Sequence, residues 1–450
     1  MMFSKETLQN RLSGIPITTY CLWAAALFTF LGMAFGPFGS YLFEEAMIIP
    51  VVLFLYVCFT RPIPAGAKKA LGLSLLMFGW FLFLQIVRDL LYFDVYPLGT
   101  YFCSYLFAFP LASLLQDGEK KQALKLFGIA FIAASAVHAI AAVLLLLDMV
   151  PAVLAEYHVF WDGTRLNVFW HPNMAACFHM FGIASCIAFL QEAKKGWAKL
   201  ALLAVVLLLF FTMVLTNCRT TIILTGGILA GAAFYAILKG RWKRLPVALL
   251  VAIIVLILAI FFWNAISHAL SDKFLSQYHS AEAVQAVQQE SNGNQNSFME
   301  DLGSLNSRTS IWQASILAMN ASKIRYIFGV DNPGKHMSYF CWFDQTHTHN
   351  SWVETLMGLG IPGLLLAMVF TLMTLRNGIR ILLKHSTDVW KRTIAMLCLC
   401  MLVASFMEPY LFLPPLDYYI YNFIFLLCAG YLVHWQEADS WKLLDKFLRV

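Results

Sequence analysis

Charge is what this 450-residue sequence has least of. Asp, Glu, Lys and Arg together make up 12% of it, about half of the roughly 25% found in soluble domains, which excludes an ordinary aqueous enzyme. Also missing is any cysteine pattern. The ten Cys are spread along the chain, and Cys398 and Cys400, like most of the others, fall inside apolar runs without metal-ligand spacing; they read as small hydrophobes facing lipid or neighbouring helices. No internal repeat pairs the first half with the second, which counts against a transporter built from two similar halves. Disorder is excluded from the other direction, by 38 Phe, 13 Trp and 17 Tyr.

Present instead, at 60%, are hydrophobic residues. A membrane-spanning helix needs about 20 mostly apolar residues in a row. Twelve such runs occur: 16–36, 43–60, 69–87, 99–116, 122–147, 173–190, 198–216, 220–238, 246–268, 351–375, 392–409 and 418–434. Lys and Arg concentrate on the cytoplasmic side of membrane proteins, and 23 of the 31 here fall on the side that holds both termini. Of the eight on the other side, five lie in one long loop, 269–350, leaving Arg88, Arg165 and Arg219 in the short outer loops. Acidic residues divide the opposite way, eight inside and 17 outside. The basic balance is therefore topology, and it implies no nucleic-acid partner. The first run follows Lys5 and Arg11 as a signal peptide would, but eleven more runs follow and no cleavage site is convincing, so it reads as a retained helix. The fold class is all-α: a polytopic membrane protein with about 12 transmembrane helices and one large extracytoplasmic loop between helices 9 and 10. It divides into a membrane part at 1–268, the loop at 269–350, and a second membrane part with a cytoplasmic tail at 351–450.

Two outer segments stand out. The first, 148–172, carries Trp161, Asp162, Arg165, Trp170 and His171 ahead of Pro172-Asn173. The second is the long loop. Its part from Tyr278 to Phe298 is rich in Gln, Asn, Ser and Ala and reads as an insertion. Farther on, Ile311, Trp312, Ile316 and Leu317 recur at helical spacing between Ser310 and Ala321, predicting an amphipathic helix that lies on the membrane surface.

An arginine at membrane depth is costly and is usually held there by an anion or a route to water. Arg219 lies in the short turn Thr216-Asn217-Cys218-Arg219-Thr220 between two apolar runs. Two readings fit it: a side chain snorkelling to lipid phosphates, or an anion clamp whose planar fork donates two hydrogen bonds to phosphate. Arg308, at the head of the amphipathic helix, and Arg165, in Gly163-Thr164-Arg165-Leu166, are either solvated surface or further cations for the same purpose. His349 sits where the long loop re-enters the membrane, in Thr346-His347-Thr348-His349-Asn350-Ser351; it is either a hydrogen-bonded structural histidine or a base able to take a hydroxyl proton near neutrality. Zinc on His347, His349 and Asp344 lacks recognisable ligand spacing. Ser351-x-x-Glu354 matches a capping box for the next helix.

His349-Asn350, followed after nine residues by Gly360 and then by Gly363, resembles the signature of the O-antigen ligase and O-antigen polymerase superfamily. Similar too are Ser307-Arg308 followed by Trp312 and Ile327-Phe328-Gly329-Val330, Arg165 followed by Phe169 and Pro172-Asn173, and Arg219 at the head of the eighth run. Twelve runs with one large loop between the ninth and tenth resemble the ligase architecture over essentially the whole chain. Asp331, standing where a second glycine is common, and the insertion at 278–298 depart from the pattern.

What this resemblance implies is a metal-independent, cofactor-free, inverting glycosyltransferase of the bacterial cytoplasmic (inner) membrane. It would work on the periplasmic or outer face, with both termini cytoplasmic. Its partners would be an undecaprenyl-diphosphate-linked glycan donor, a glycolipid or glycan acceptor, with lipid A core favoured, and the surrounding lipids. Catalysis falls to Arg219, Arg308 and His349, the arginines on the diphosphate and the histidine on the acceptor hydroxyl; Arg165, Asn173, Asn350 and Arg88 are substrate-binding candidates. Gly358, Gly360 and Gly363 with Pro362 would bend the tenth helix. A surface-polysaccharide polymerase of the same superfamily is the nearest alternative. A lipid-linked oligosaccharide flippase is the rival of another class, and it calls for charges deep in mid-span, where these runs have almost none.

Overall fold

The computed structural model describes residues 17–36, 48–63, 65–92, 108–147, 149, 159–161, 165–238, 242–278, 308–340, 347–384, 388–413 and 419–433. The part of the Gln- and Asn-rich insertion beyond Tyr278, Asp344 and both terminal tails lie outside them. In chain order the helices are α1 (Ile17–Ala34), α2 (Ile48–Thr60), α3 (Ala65–Tyr92), α4 (Phe109–Leu114), α5 (Asp117–Leu146), α6 (Pro172–Glu192), α7 (Gly196–Leu215), α8 (Arg219–Leu238) and α9 (Leu245–Tyr278). After the insertion come α10 (Arg308–Asn320), α11 (Arg325–Phe328), α12 (Pro333–Ser338), α13 (Ser351–Leu383), α14 (Val389–Ala404) and α15 (Tyr419–Val433).

Eight of these, α1, α3, α5 to α9 and α13, are long and apolar enough to cross a membrane. The chain is a multi-pass helical membrane protein. Three further apolar runs give shorter helices: α2 with 13 residues, α14 with 16 and α15 with 15. The run 99–116 is described only from residue 108. The all-α expectation holds, with one small addition: Val159–Trp161 and Leu166–Val168 form an antiparallel hairpin, β1 and β2, with Phe160 opposite Asn167. The alternation of buried Leu166 and Val168 with half-buried Asn167 is a strand period, but three residues are too few to detect in the sequence.

At the centre stands α6, buried along almost its whole length and packed on α5, α7, α8 and α14. By contrast α9 leaves Ile253, Ile257, Phe261 and Phe262 exposed, as expected of a helix that meets lipid. Ion pairs gather at one end of the bundle, where Arg61 grips Glu119 at 2.6 Å and Lys125 meets Glu192 at 2.6 Å. The opposite end holds the first residues of α6, α8 and α13 and the last of α3 and α14.

Helix α13 is broken. Gly360 has φ 67° and ψ −175°, and Pro362 brings no N–H, so the turn before them loses its donors. Lipid offers no water to replace them. Three carbonyls are instead satisfied from outside the helix: Met357 O accepts from Val330 N–H (2.6 Å), Gly358 O from the Arg88 guanidinium, and Leu359 O from Trp80 Nε1 (2.8 Å). Arg88 also donates to Phe328 O at 2.9 Å, joining α3, α11 and α13. The bend expected from the glycines and Pro362 is present. Arg88, expected among the substrate-binding residues, is 1% exposed and stands in here for missing backbone donors.

The amphipathic helix is present as α10, but with a different inner face. Ile311, Ala314, Ala318 and Met319 pack on Val330, Met337 and Met357, while Ile316 and Leu317 stay exposed.

The break generates a stability prediction. Gly360→Ala forces a side chain into the left-handed region and against Ile327 O, whereas a Cβ at Gly72 meets nothing. In thermal denaturation of detergent-solubilised protein, Gly360→Ala should melt well below wild type and Gly72→Ala at or above it. Arg88→Ala should cost on the order of 2–3 kcal/mol, since it leaves buried carbonyls unpaired. Wild-type melting of Gly360→Ala or Arg88→Ala would remove this account of the bend.

Candidate functional site

Four separate pieces of chain meet at one end of the bundle, and local rules place each. Ahead of α6 the hairpin runs into Trp170, whose indole donates to Met33 O at 2.8 Å, and Pro172 starts the helix with His171 as its cap; Asn173 therefore points from a fixed first turn. Arg308 is the first residue of α10. Asn350 caps α13, its Oδ1 accepting from Trp352 and Val353 N–H. This corrects the expected capping box: Ser351 lies inside the helix and donates to Glu408 O (2.9 Å), and Glu354 accepts from Thr348 N–H (2.8 Å). The fourth piece is the turn after α14, where the helix stops at Ala404, short of the expected 409, and leaves Glu408 in irregular chain.

Glu408 joins these pieces. Its Oε1 accepts from Asn173 Nδ2 at 2.8 Å and from Arg308 Nη2 at 2.9 Å, and its Oε2 faces His349 Nδ1 at 3.3 Å. Asn173 Oδ1 in turn accepts from Arg165 Nη2 at 2.6 Å. Arg165 reaches on to Thr216 O (3.2 Å) and Asn217 O (3.5 Å), in the turn between α7 and α8. A continuous hydrogen-bonded chain thus runs from that turn through Arg165, Asn173 and Glu408 to Arg308 and His349. Arg219 lies two residues beyond Asn217. Its guanidinium is 6.0 Å from the ring centre of Trp263, whose indole donates to Asn217 Oδ1 (3.3 Å).

Of the residues expected at the site, Arg165, Asn173, Arg308 and His349 are joined directly. Asn350 borders them, donating to Phe406 O at 3.0 Å. Arg219 is tied in through its turn, and Arg88 belongs to the helix break. Glu408 was not foreseen. The available signal was an acid inside an apolar run, followed by Pro409; a charge so placed requires partners.

Electrostatics favour an ionised Glu408. Burial pushes its carboxyl up, but the hydrogen bond from His349 and then the charges of His349 and Arg308 outweigh burial and hold it below the ordinary carboxylate value. His347, its ring 4.2 Å from that of His349, is pushed down to about 4, by burial first and then by His349. Its Nδ1 accepts from His349 N–H at 3.3 Å, as a neutral ring allows. Within this cluster one buried carboxylate, Glu408, meets Arg308 directly and Arg165 through Asn173, with Arg219 at the next turn, so the arginines outnumber the carboxylate locally. Such a surface can hold a polyanion beside a histidine.

Residues 203–368 match the family model described as O-antigen ligase. Arg219, Arg308, His349 and Asn350 fall inside that stretch, whereas Arg165, Asn173 and Glu408 fall outside it. No curated protein matches the chain.

The shifts at Glu408 and His347 act in the same direction with pH. A depressed carboxyl stabilises the fold above its unfolded value and loses that contribution as pH falls through the folded one. A buried neutral histidine at about 4 gains no proton where the unfolded chain, near 6.5, does, so its contribution also falls between about 6.5 and 4. The melting temperature should therefore drop from pH 7 to pH 5, and less steeply in His347→Asn. Equal pH slopes in variant and wild type would contradict this.

Proposed function

We propose, from the match of residues 203–368 to the family model described as O-antigen ligase, that the chain transfers a glycan from undecaprenyl diphosphate to an acceptor hydroxyl, as an O-antigen ligase with lipid A core as acceptor. The coarser statement, a multi-pass membrane enzyme of the O-antigen ligase and polymerase type, carries over from the match and the helices. One observation supports the finer reading above others. Residues 165, 173, 308 and 349, far apart in sequence, are drawn together around Glu408 at a single end of the bundle.

In this reading the site lies on the outer face of the bacterial inner membrane, with both termini cytoplasmic and residues 269–350 outside. Arg219 and Arg308 bind the diphosphate. As the anomeric C–O bond to phosphate breaks, negative charge grows on the leaving oxygen, and fixed guanidinium groups stabilise it. The acceptor hydroxyl attacks in line with inversion and gives its proton to His349. Undecaprenyl diphosphate departs. Arg165 and Asn173 hold the turn that carries Arg219 and the carboxylate that carries Arg308, and Asn350 fixes the end of α13 beside them. No step calls for a metal.

The test is transfer by purified protein in detergent with EDTA, a lipid-diphosphate glycan, and either lipid A core or no added acceptor. Product on the added core is expected. Arg219→Ala and Arg308→Ala should each lower turnover on the order of 10²–10³-fold, and His349→Ala on the order of 10²–10⁴-fold. Full activity in the arginine variants would remove the diphosphate clamp. Longer lipid-linked chains without acceptor would make the enzyme a polymerase. Activity lost with EDTA and restored by metal would bring a metal back, and no new glycosidic bond under any condition would favour a flippase.

A further inference from the structure

We infer that Glu408 is the positioning residue for His349 and that, before the donor arrives, its carboxylate holds Arg308 in the place the diphosphate will take. This rests on the glycosyltransfer reading above and assigns a role to a residue outside the matched stretch.

The geometry is specific. A carboxylate only accepts hydrogen bonds, so the imidazole nitrogen that faces Glu408 Oε2, Nδ1 at 3.3 Å, is the one that carries hydrogen. In the neutral ring the lone pair is then on Nε2, and the side chain keeps 26% of its surface exposed, enough to meet a hydroxyl. The backbone enforces the aim. His349 has φ 52°, a conformation that costs on the order of 1–3 kcal/mol in a non-glycine residue; its neighbours hold it there, through Thr348 Oγ1 donating to Asn350 O (2.9 Å) and the Asn350 cap.

Arg308 shares the other carboxylate oxygen with Asn173. The Arg308 side chain is 20% exposed and that of Glu408 only 3%, so a ligand reaches the guanidinium without reaching the carboxylate. A diphosphate carries more charge than one carboxylate and offers several acceptors to the same fork. When it takes Arg308, Glu408 keeps Asn173 and His349 but loses one of its cations. Its charge then stabilises imidazolium alone, and His349 becomes a stronger base once a leaving group is in place. A phospholipid headgroup with a single negative charge gains less from displacing the carboxylate, so bulk anionic lipid is a poor competitor for Arg308.

The groups that face or feel Glu408 are Arg308 on α10, His347 and His349 ahead of α13, Tyr410 in its own turn, and Cys177 and Cys218 at the starts of α6 and α8. Thiols and phenols ordinarily titrate above the histidine range, and His347, pushed down to about 4, titrates below it. The pH dependence of the rate is therefore compared between variant and wild type.

The experiment compares wild type, Glu408→Gln and Glu408→Asp in the transfer assay from pH 5 to 8.5, varying donor at saturating acceptor. Glu408→Gln should lower kcat on the order of 10²-fold or more, move the rising limb about one unit to lower pH, and leave donor KM unchanged or reduced, because Arg308 is released. Glu408→Asp should restore part of kcat and the wild-type limb. Wild-type kcat with an unmoved limb in Glu408→Gln overturns the inference. So does a loss of kcat with raised donor KM, an unmoved limb and no rescue by Asp, which is the pattern of a merely structural residue.

A second measurement needs no variant. Wild-type protein titrated calorimetrically with an undecaprenyl diphosphoryl sugar, a diester with no proton of its own to exchange near neutrality, should take up a fraction of a proton at pH 7, seen as heat that differs between two buffers. Buffer-independent heat overturns the inference even if Glu408→Gln fails to fold. If wild type makes no glycosidic bond, the glycosyltransfer reading falls, and this inference falls with it; transfer by wild type with either negative result above sinks the inference alone.

Discussion

A buried carboxylate cannot stay charged without partners, and Glu408 imposes that condition on one whole end of this protein. With 3% of its side chain exposed, it needs cations and donors on every side and draws them from α6, α10 and the segment before α13. Each of these elements is placed by its own local rule: a proline and a cap for α6, an apolar face of Ile311, Ala314, Ala318 and Met319 for α10, an asparagine cap for α13. What sets their mutual register is the shared acceptor. Removing one partner does not simply delete a bond, because the remaining buried charge keeps its full desolvation cost.

Helix α13 carries this arrangement into the membrane. Between its cap at Asn350 and its break at Gly360 lies a short rigid piece that is held at both ends: above by Ser351 bonded to the Glu408 turn, below by the donors from Val330, Arg88 and Trp80. Met357 on that piece also belongs to the apolar cluster beneath α10. The helix that carries Arg308 and the segment that carries His349 therefore rest on one support. A straight, unbroken α13 would need none of the outside donors, and α3 would lose its reason to hold an arginine at that depth. The break is stable only because lipid makes every unpaired carbonyl costly and the protein meets that cost with side chains eight residues apart on one face of α3.

Much of this was legible in the sequence because composition and spacing speak loudly about membranes. Apolar runs located the eight long helices, most within a few residues, though α9 runs on to Tyr278 and α13 to Leu383, and the glycines with Pro362 marked the bend. Arg165, Arg308 and His349 stood out as scarce polar residues on one side of the ladder, the resemblance added Asn173 and Asn350, and these residues do gather. What escaped has a common cause. Glu408 looked like the tail of a span because hydropathy averages over a single charge; Arg88 looked like a free outer cation because its partners, backbone carbonyls at 328 and 358, have no sequence signature. Ser351 with Glu354 imitated a capping box, but Asn350, one residue earlier, is the better cap. Of the apolar residues that marked α10, Ile311 packs inward, whereas Ile316 and Leu317 stay exposed.

Backbone strain follows the same map. Among the described residues the non-glycine positions in the left-handed region are Phe169, Asn217, His349 and Phe412. They fall four residues before Asn173, two before Arg219, on His349 itself, and four after Glu408. Each costs on the order of 1–3 kcal/mol unless surrounding contacts fix it, and asparagine alone among them tolerates the conformation readily. A helix bundle held together by buried apolar surface can absorb such costs in its turns, and here they fall in the four turns that present polar groups to one another. The gain is rigidity: arginines, carboxylate and imidazole are already oriented before any ligand arrives, and oriented charges need no rearrangement when charge develops on a reacting group. Glycines at these turns would relieve the strain and release the orientation along with it, which is why bulky and polar residues at positive φ are informative here.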